Sequence, residues 1–391
     1  MKARKIVERV YWLGTVDWDR RLFDALIPLP DGTSYNAYLI EGTEKTVLLD
    51  TVDPTMTNVL LEQLKDVRNI DYIVCHHVEQ DHSGSIPDVL EKYSSAKVII
   101  STRGKEMLID HLHIPEDRII TVEDGEILSL GDKTLKFVYT PWVHWPETMV
   151  TYLIEDKILF TCDLFGSHLA TNELYAVDRP RVYESAKRYY AEIMMPFRTV
   201  IQKNLDKIKD LDISMIAPSH GPLYDEPGFI VEAYKDWISD TPKNIVVIPY
   251  ISMHNSTRIM VDYLVSSLTE RGIKVERFDL SSVDLGKLAM SLVDAGTVIV
   301  GTPTVLVGPH PNVIYAVYLL NALRPKTRYV SIVGSYGWGG KTIDIIKGML
   351  TNLKVEVLDP VIVKGLPRKE DLDTLDRLAD TIAEKHKEFS T

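Results

Sequence analysis

Two cysteines in 391 residues, Cys75 and Cys162, are too few for a disulfide framework, a thiolate-only zinc site or an all-cysteine iron–sulfur cluster. Both are expected to be small packed side chains, and a reducing cytoplasm is the expected location. No run of about 20 apolar residues occurs, so no membrane span is expected. Residues 1–9 are basic but lack the apolar stretch of a secretory leader. Positive charge is in deficit: 44 Lys and Arg against 56 Asp and Glu leave a net charge of −12. That balance argues against nucleic acid as a partner, since phosphate binding rests on concentrated Lys and Arg. What remains is an ordinary globular composition, 45% apolar and 26% charged, in a chain long enough for two or three domains.

A seam is expected at Ser239-Asp240-Thr241-Pro242-Lys243, a short polar stretch with a proline. Before it, strand patterns at 36–40, 46–50, 71–76, 97–101, 134–140, 149–154, 157–161 and 213–217 mix with helical patterns at 56–65, 87–93 and 185–194. Such a mixture suits a layered αββα scaffold with its functional groups at one sheet edge. After the seam the rhythm becomes regular. Strands are expected at 245–250, 275–280, 297–301, 329–334 and 355–358, and amphipathic helices at 256–271, 312–323, 341–352 and 369–389. Strand–helix alternation over this length implies a doubly wound parallel sheet. Pro249 removes a ladder donor from its first strand, which is tolerable if pairing has already ended at that point.

The most informative segment is His77-Val78-Glu79-Gln80-Asp81-His82, four potential metal ligands in six residues after an apolar strand. Burying them together is costly without a cation. Three later positions repeat the theme at strand ends: His144 after Thr140-Pro141-Trp142-Val143, Asp163 closing Ile158-Leu159-Phe160-Thr161-Cys162, and His220 in Pro218-Ser219-His220-Gly221. Imidazole and carboxylate without thiolate suit iron, manganese or zinc.

In the second half, Ser252-Met253-His254-Asn255-Ser256-Thr257 follows the first strand and opens a helix. Hydroxyls and backbone N–H groups at a helix start make a phosphate site. Two further strand-end loops, 302–308 and 335–340, lie where open α/β sheets bind ligands. One terminal phosphate suits FMN better than FAD or NAD, and no G-x-G-x-x-G follows this strand.

The order His-x-Glu-x-Asp-His, then His, Asp and His, resembles the metallo-β-lactamase fold, except that Glu79 stands where that superfamily usually has histidine. This substitution, with a flavodoxin-like half behind it, resembles the flavodiiron proteins over essentially the whole chain. The resemblance implies a metallo-β-lactamase-like αββα sandwich over 1–242 and a flavodoxin-like domain over 243–391. It implies two irons, one held by His77, Glu79 and His144 and the other by Asp81, His82 and His220, with Asp163 and a hydroxide or oxo group bridging them. Three carboxylates against two ferrous ions leave one positive charge, which a hydroxide cancels. Glu79 makes the site harder and more anionic than a third imidazole would, favouring iron or manganese over zinc. His168 is a candidate to line the substrate pocket, and Asp50 to brace the metal loop. His76, His111, His113, His310 and His386 are expected at the surface or behind the ligands.

For the flavin, the resemblance implies FMN held by Ser252, Met253, His254, Asn255, Ser256 and Thr257 at the phosphate. Pro303, Thr304, Val305, Leu306, Gly308, Ser335, Tyr336, Gly337, Trp338 and Gly339 are implied around the ring. Val305-Leu306 stands where related proteins often carry Tyr-Asn. The implied reaction takes dioxygen to water with four electrons, or two nitric oxide molecules to nitrous oxide and water with two. The expected donor is a separate molecule, a rubredoxin or a reduced deazaflavin. The implied assembly is a head-to-tail homodimer, or a dimer of such dimers, that sets the flavin of one subunit beside the iron pair of the other. Two other readings compete: a zinc hydrolase with an appended flavin domain, and an electron carrier whose metal site is structural.

Overall fold

Short β-branched and aromatic runs, buried on both faces, build the first half from two stacked sheets. In the computed structural model, which describes residues 3–389, the chain divides into Met1–Tyr190 with Phe197–Ile238, and Ala191–Pro196 with Ser239–Thr391. In the first unit, β1 (Arg4–Val7), β2 (Val10–Trp12), β3 (Tyr38–Glu41), β4 (Thr46–Leu49), β5 (Tyr72–Val74), β6 (Lys97–Ser101) and β7 (Ile119–Val122) lie side by side in that order. Pairing is antiparallel up to β4 and parallel from there on. A second sheet runs β8 (Ile127–Ser129), β9 (Thr134–Tyr139), β10 (Met149–Leu153), β11 (Ile158–Cys162) and β12 (Met215–Pro218). Val47, Leu49, Val74 and Ile99 of the first sheet pack with Phe137, Met149, Leu153 and Phe160 of the second in one core. Helices Gly104–Leu112 and Arg198–Ile208 contact β6 and β9 respectively, giving four layers.

β1 and β2 fall outside the sequence expectation, since three or four residues carry too little period-2 pattern to register. The helix expected at 185–194 starts earlier, as α1 (Arg179–Tyr189), where Asp178 caps Arg181 N–H and Pro180 occupies the first turn. It continues into a π-turn, Tyr190–Met194.

In the second unit, β13 (Lys243–Tyr250), β14 (Lys274–Asp279), β15 (Ala295–Val305), β16 (Gly308–Pro309), β17 (Tyr329–Tyr336), β18 (Glu356–Val357) and β19 (Val361–Lys364) alternate with helices. The spatial order is β14-β13-β15-β17-β18, with β19 continuing the β18 edge of β17, and these neighbours are all parallel. That is the doubly wound order with its switch between β13 and β15. Three details depart from expectation. Pairing continues past Pro249, which faces Phe278 in register, as Tyr250 faces Asp279. Tyr250 C=O accepts from Leu280 N–H and Ile251 N–H donates to Gly301 C=O, so position 249 points at β15 and only one rung is lost. Segment 302–308 is no loop either: β15 runs on to Val305 and turns back as β16. Leu306 and Val307 make that turn with φ of 50° and 69°, a left-handed conformation usually given to Asn or Gly. Finally, the helix expected to reach 389 is α2 (Lys369–His386), followed by a 3₁₀ turn. Among the described residues no helix is long and apolar enough to cross a membrane.

His386 belongs neither to the surface nor to the metal loops. It is buried on α2, with Nε2 2.7 Å from Thr297 Oγ1 and Nδ1 2.8 Å from Asn244 Oδ1. Burial lowers its pKa from 6.5 to about 4. The unfolded chain therefore takes up a proton that the folded chain refuses, so stability is complete above about pH 6.5 and falls towards pH 4. His386→Gln is expected to flatten this slope. Hydrogen exchange at β15 amides between pH 7 and 5 reads it, and an unchanged slope in the variant would refute the assignment.

Candidate functional site

The ligand-type residues of the first unit all emerge just beyond the C-terminal ends of strands, at the rim where both sheets open. His77–His82 follow β5, His144 follows β9, Asp163 follows β11 and His220 follows β12. Asp50, after β4 and at φ 55°, anchors the approach. Its Oδ1 accepts from His76 N–H at 2.8 Å, while its Oδ2 lies 2.7 Å from His76 Nδ1. Thr51 N–H and Oγ1 both donate to the His82 carbonyl at 2.7 Å. The hexapeptide is thus tied to the neighbouring strand end before any ligand is considered.

Two clusters of donor atoms result. In one, His77 Nε2 and His144 Nε2 each lie 3.0 Å from Glu79 Oε2. In the other, Asp81 Oδ1 lies 3.4 Å from His82 Nε2, and Asp81 Oδ2 lies 3.1 Å from His220 Nε2. Asp163 divides its carboxylate between them. Its Oδ2 is 3.6 Å from both His77 Nε2 and His144 Nε2, whereas its Oδ1 is 2.9 Å from His82 Nε2 and 3.4 Å from His220 Nε2. His77, Glu79, His144 and Asp163 form one group able to hold an ion, and Asp81, His82 and His220 another.

The donor chemistry fits cations. Both Asp81 oxygens, His82 Nε2 and Asp163 Oδ2 are buried with no hydrogen-bond partner, although oppositely charged atoms stand nearby. The ligand atoms of each group lie within 4.8 Å of one another, and leaving such buried atoms bare costs about 1–3 kcal/mol each. The protonation pattern agrees. Burial alone would depress His77, but hydrogen bonds to Glu147 and Glu79 and the charge of Asp163 hold it well above 6.5. Against the same burial effect, the adjacent carboxylates of Asp163 and Asp81 raise His220 to about 10. Burial works in the opposite sense on Asp163, yet His82, His220 and His77 keep it well below the usual carboxylate range. Protons thus occupy imidazoles where metal charge would otherwise sit, so metal uptake releases protons.

His168 lies beside this centre. Its ring is 4.8 Å from that of His220 and 5.0 Å from that of Phe23, its Nδ1 is 2.9 Å from Thr33 Oγ1, and its Nε2 is buried without a partner. Burial and the neighbouring His220 lower its pKa well below 6.5, leaving a neutral imidazole. His76 is buried behind the ligands; His111 and His113 are exposed, and His310 caps the helix Pro311–Leu323. Cys75 and Cys162 are free and buried.

In the second unit, a cavity of about 230 Å³ gathers Ser252, Met253, His254, Ser256, Thr257, Pro303, Thr304, Ser335, Tyr336 and Gly337 from three strand ends, together with Gly365. It lies at the start of the helix Ser256–Glu270, whose first N–H groups suit a phosphate. Asn255 is that helix's N-cap, at φ 66°. Val305, Leu306, Gly308, Trp338 and Gly339 do not line the cavity; Leu306 is 90% exposed and Trp338 75%. Gly339 borders a second cavity that shares Thr304 and Tyr336 with the first.

Residues 33–221 match the model of the ODP family beta lactamase. A nitric oxide reductase of Moorella thermoacetica is 37% identical over 389 residues, 97% of each chain. The structure of rubredoxin oxygen:oxidoreductase from Desulfovibrio gigas superposes with a TM-score of 0.95 at 32% identity, covering 100% of both chains. That of the flavodiiron protein from Giardia intestinalis does so with a TM-score of 0.92 at 26% identity, covering 100% of this chain and 98% of that one. The chain belongs to the flavodiiron family. Its two-part architecture is accordingly a β-lactamase-like unit followed by a flavodoxin-like one.

Three residues of this flavodiiron chain escape sequence reasoning. Glu147 is buried, and its Oε1 lies 2.7 Å from His77 Nδ1 while accepting from Val78 N–H at 3.0 Å. Tyr189 Oη donates to Asp163 Oδ1 at 2.8 Å. Ser34 C=O sits 2.7 Å from His220 Nδ1. Glu147 had a signal: it follows His144 by three residues, in a turn entering an apolar strand where a carboxylate needs a reason. Nothing in the sequence marks Ser34, since the contact uses only its backbone.

Proposed function

We propose that this chain reduces dioxygen to water, nitric oxide to nitrous oxide, or both, at a pair of irons held by residues 1–242, with electrons arriving through FMN held by residues 243–391. The observation that carries the reading is the division of Asp163 between two ligand sets. The proposed ligands are His77, Glu79 and His144 for one iron and Asp81, His82 and His220 for the other, with Asp163 between them. When bound, the irons supply electrons and open coordination positions, and FMN supplies a relay that accepts electrons singly.

The chain's own residues do the positioning. Glu147 holds His77 Nδ1, and the Ser34 carbonyl holds His220 Nδ1, so each Nε2 points into the centre. Tyr189 fixes one Asp163 oxygen. His168, neutral and with Nε2 unpaired, is proposed to line the substrate pocket. Around the flavin, the loop 252–257 is proposed to hold the phosphate, and segments 303–308 and 335–339 to flank the ring. We place the enzyme in the reducing cytoplasm, which suits two free, buried thiols. A head-to-tail homodimer is proposed as the working unit, and a rubredoxin as the donor, with a reduced deazaflavin as the second candidate.

Elemental analysis of unsupplemented protein, followed by anaerobic photoreduction and exposure to either gas, tests this reading. About two irons per chain and oxidation over many turnovers are expected. Stoichiometric zinc with no turnover would instead leave a hydrolase, and a single oxidation would leave an electron carrier.

A further inference from the structure

Alternation along β2 and β3 divides their side chains between two faces. Val10, Trp12, Tyr38 and Ile40 enter the core shared by the two sheets, so Tyr11, Leu13, Leu39 and Glu41 fall on the opposite face. Tyr11 and Leu39 are cross-strand partners there. Between this face and the end of the helix Thr57–Gln63 lies a cavity of about 660 Å³, closed on the helix side by Gln63, Asp66 and Val67. That volume falls within the range of small-molecule sites. No residue lining it is a proposed metal ligand or flavin contact. Gln63 is only 8% exposed; its Nε2 donates to the Gly14 carbonyl at 3.1 Å, and its Oε1 has no partner. Because a carbonyl can only accept, the amide cannot be turned round, and the unmatched atom is an acceptor. The wall is also anionic: the three carboxylates of Glu41, Glu62 and Asp66 against the one ammonium of Lys65 leave two negative charges. Lys65 is already engaged, with Nζ 2.5 Å from Glu62, and Lys92 nearby donates to the Leu64 carbonyl at 2.9 Å. Glu41 and Asp66 form no ion pair among the described residues.

We propose that this cavity binds a linear aliphatic diamine, one ammonium donating to Gln63 Oε1, the two charges answered by Glu41 and Asp66, and the methylene chain lying on Leu13, Leu39 and Val67. Three features of the site each ask for one part of that ligand. An unmatched buried acceptor calls for an N–H or O–H donor, since a buried polar atom without a partner is destabilising. Two uncompensated carboxylates call for a cation, and charge-assisted hydrogen bonds are the stronger kind. An apolar floor with polar groups at its edge calls for hydrocarbon between the charged ends, as an ammonium on a methylene stem provides. Other ligands meet fewer of these demands. A divalent metal ion answers only the charge, and among the described residues these carboxylates form no group close enough to hold one. A neutral alcohol answers the acceptor and the floor but leaves both carboxylates unmatched. Water answers Gln63 and gains nothing from the leucines. A phosphate or nucleotide is repelled by the wall.

The test is calorimetric titration of the full-length holoenzyme at low ionic strength with 1,5-diaminopentane, with 1-aminopentane and magnesium ion as comparisons. The diamine is expected to saturate one site per chain and to bind at least about tenfold more tightly than the monoamine. Gln63→Met keeps the length of the side chain without its acceptor, and is expected to weaken the diamine at least about tenfold. The double variant Glu41→Gln, Asp66→Asn is expected to weaken it further and to remove most of its dependence on salt. Metal and flavin content serve as the check on folding, and if Gln63→Met loses either, the double variant, whose side chains lie at the edge of the cavity, decides. Absence of saturable binding by the wild type overturns the proposal and leaves the cavity to water. Binding of magnesium ion as tight as that of the diamine also overturns it, because the site is then an acidic surface without selectivity. So does diamine affinity unchanged in both variants, which would place the ligand elsewhere on the chain.

Discussion

Asp163→Ala is expected to empty both metal positions at once and to take turnover with dioxygen and nitric oxide to background. The reason is geometric. Each Asp163 oxygen serves a different cluster, so one substitution removes a ligand and shared negative charge from both. Without it, His77, His82 and His220 keep Glu79 and Asp81 as countercharges inside the centre, too few for two divalent cations. Even groups one bond behind a ligand cost about 10–100-fold in affinity when removed, and a shared ligand is expected to cost more at both positions. His220→Ala is the control, because it touches only the Asp81 cluster and should spare the metal at His77, Glu79 and His144 more than its neighbour. Metal content per chain after dialysis against a chelator, with flavin content as the check on folding, reads the result. Two metals retained by Asp163→Ala would show that the carboxylate does not bridge.

The parts of this molecule that could be read from sequence share one property: their signal was local. Four ligand-type side chains in His77–His82 announce themselves within six residues, and Asp163 and His220 are conspicuous because each closes an apolar strand. The long buried strands Lys243–Tyr250 and Tyr329–Tyr336 were equally plain, since five or more consecutive buried residues leave few alternatives. What was missed depends on partners distant in sequence. Gly365 joins the cavity of the second unit through β19, a four-residue strand recognisable only by its pairing with β17. The role of the Ser34 carbonyl is fixed by a residue 186 positions away. The hairpin at Leu306-Val307 went unseen because its turn carries residues that disfavour positive φ, so no Asn-Gly signal was there to find.

Glu147, whose carboxylate stands behind His77, is the next most consequential residue of the centre. It is 2% exposed, and burial by itself would raise its pKa, yet the hydrogen bond and charge of His77 and the Val78 N–H hold it below the ordinary value. A buried carboxylate in that condition is ionised and accepts from His77 Nδ1, which leaves Nε2 free to face the metal and makes the ring a stronger base. Glu147→Ala removes the acceptor, abandons the His77 N–H and the Val78 N–H in a buried space, and frees the ring to rotate. Affinity at the His77, Glu79, His144 position is expected to fall about 10–100-fold, and the loss of two buried acceptor contacts to cost about 1–3 kcal/mol each in stability. Glu147→Gln keeps an acceptor without the charge, so it should restore most of the stability and only part of the affinity. Competition with a chelator gives the affinity, and the thermal midpoint of metal-free protein gives the stability. If both variants bind metal as the wild type does, His77 is oriented by packing alone, and the rigid placement of its ring must come from its contact with Trp145, whose ring centre lies 4.9 Å away.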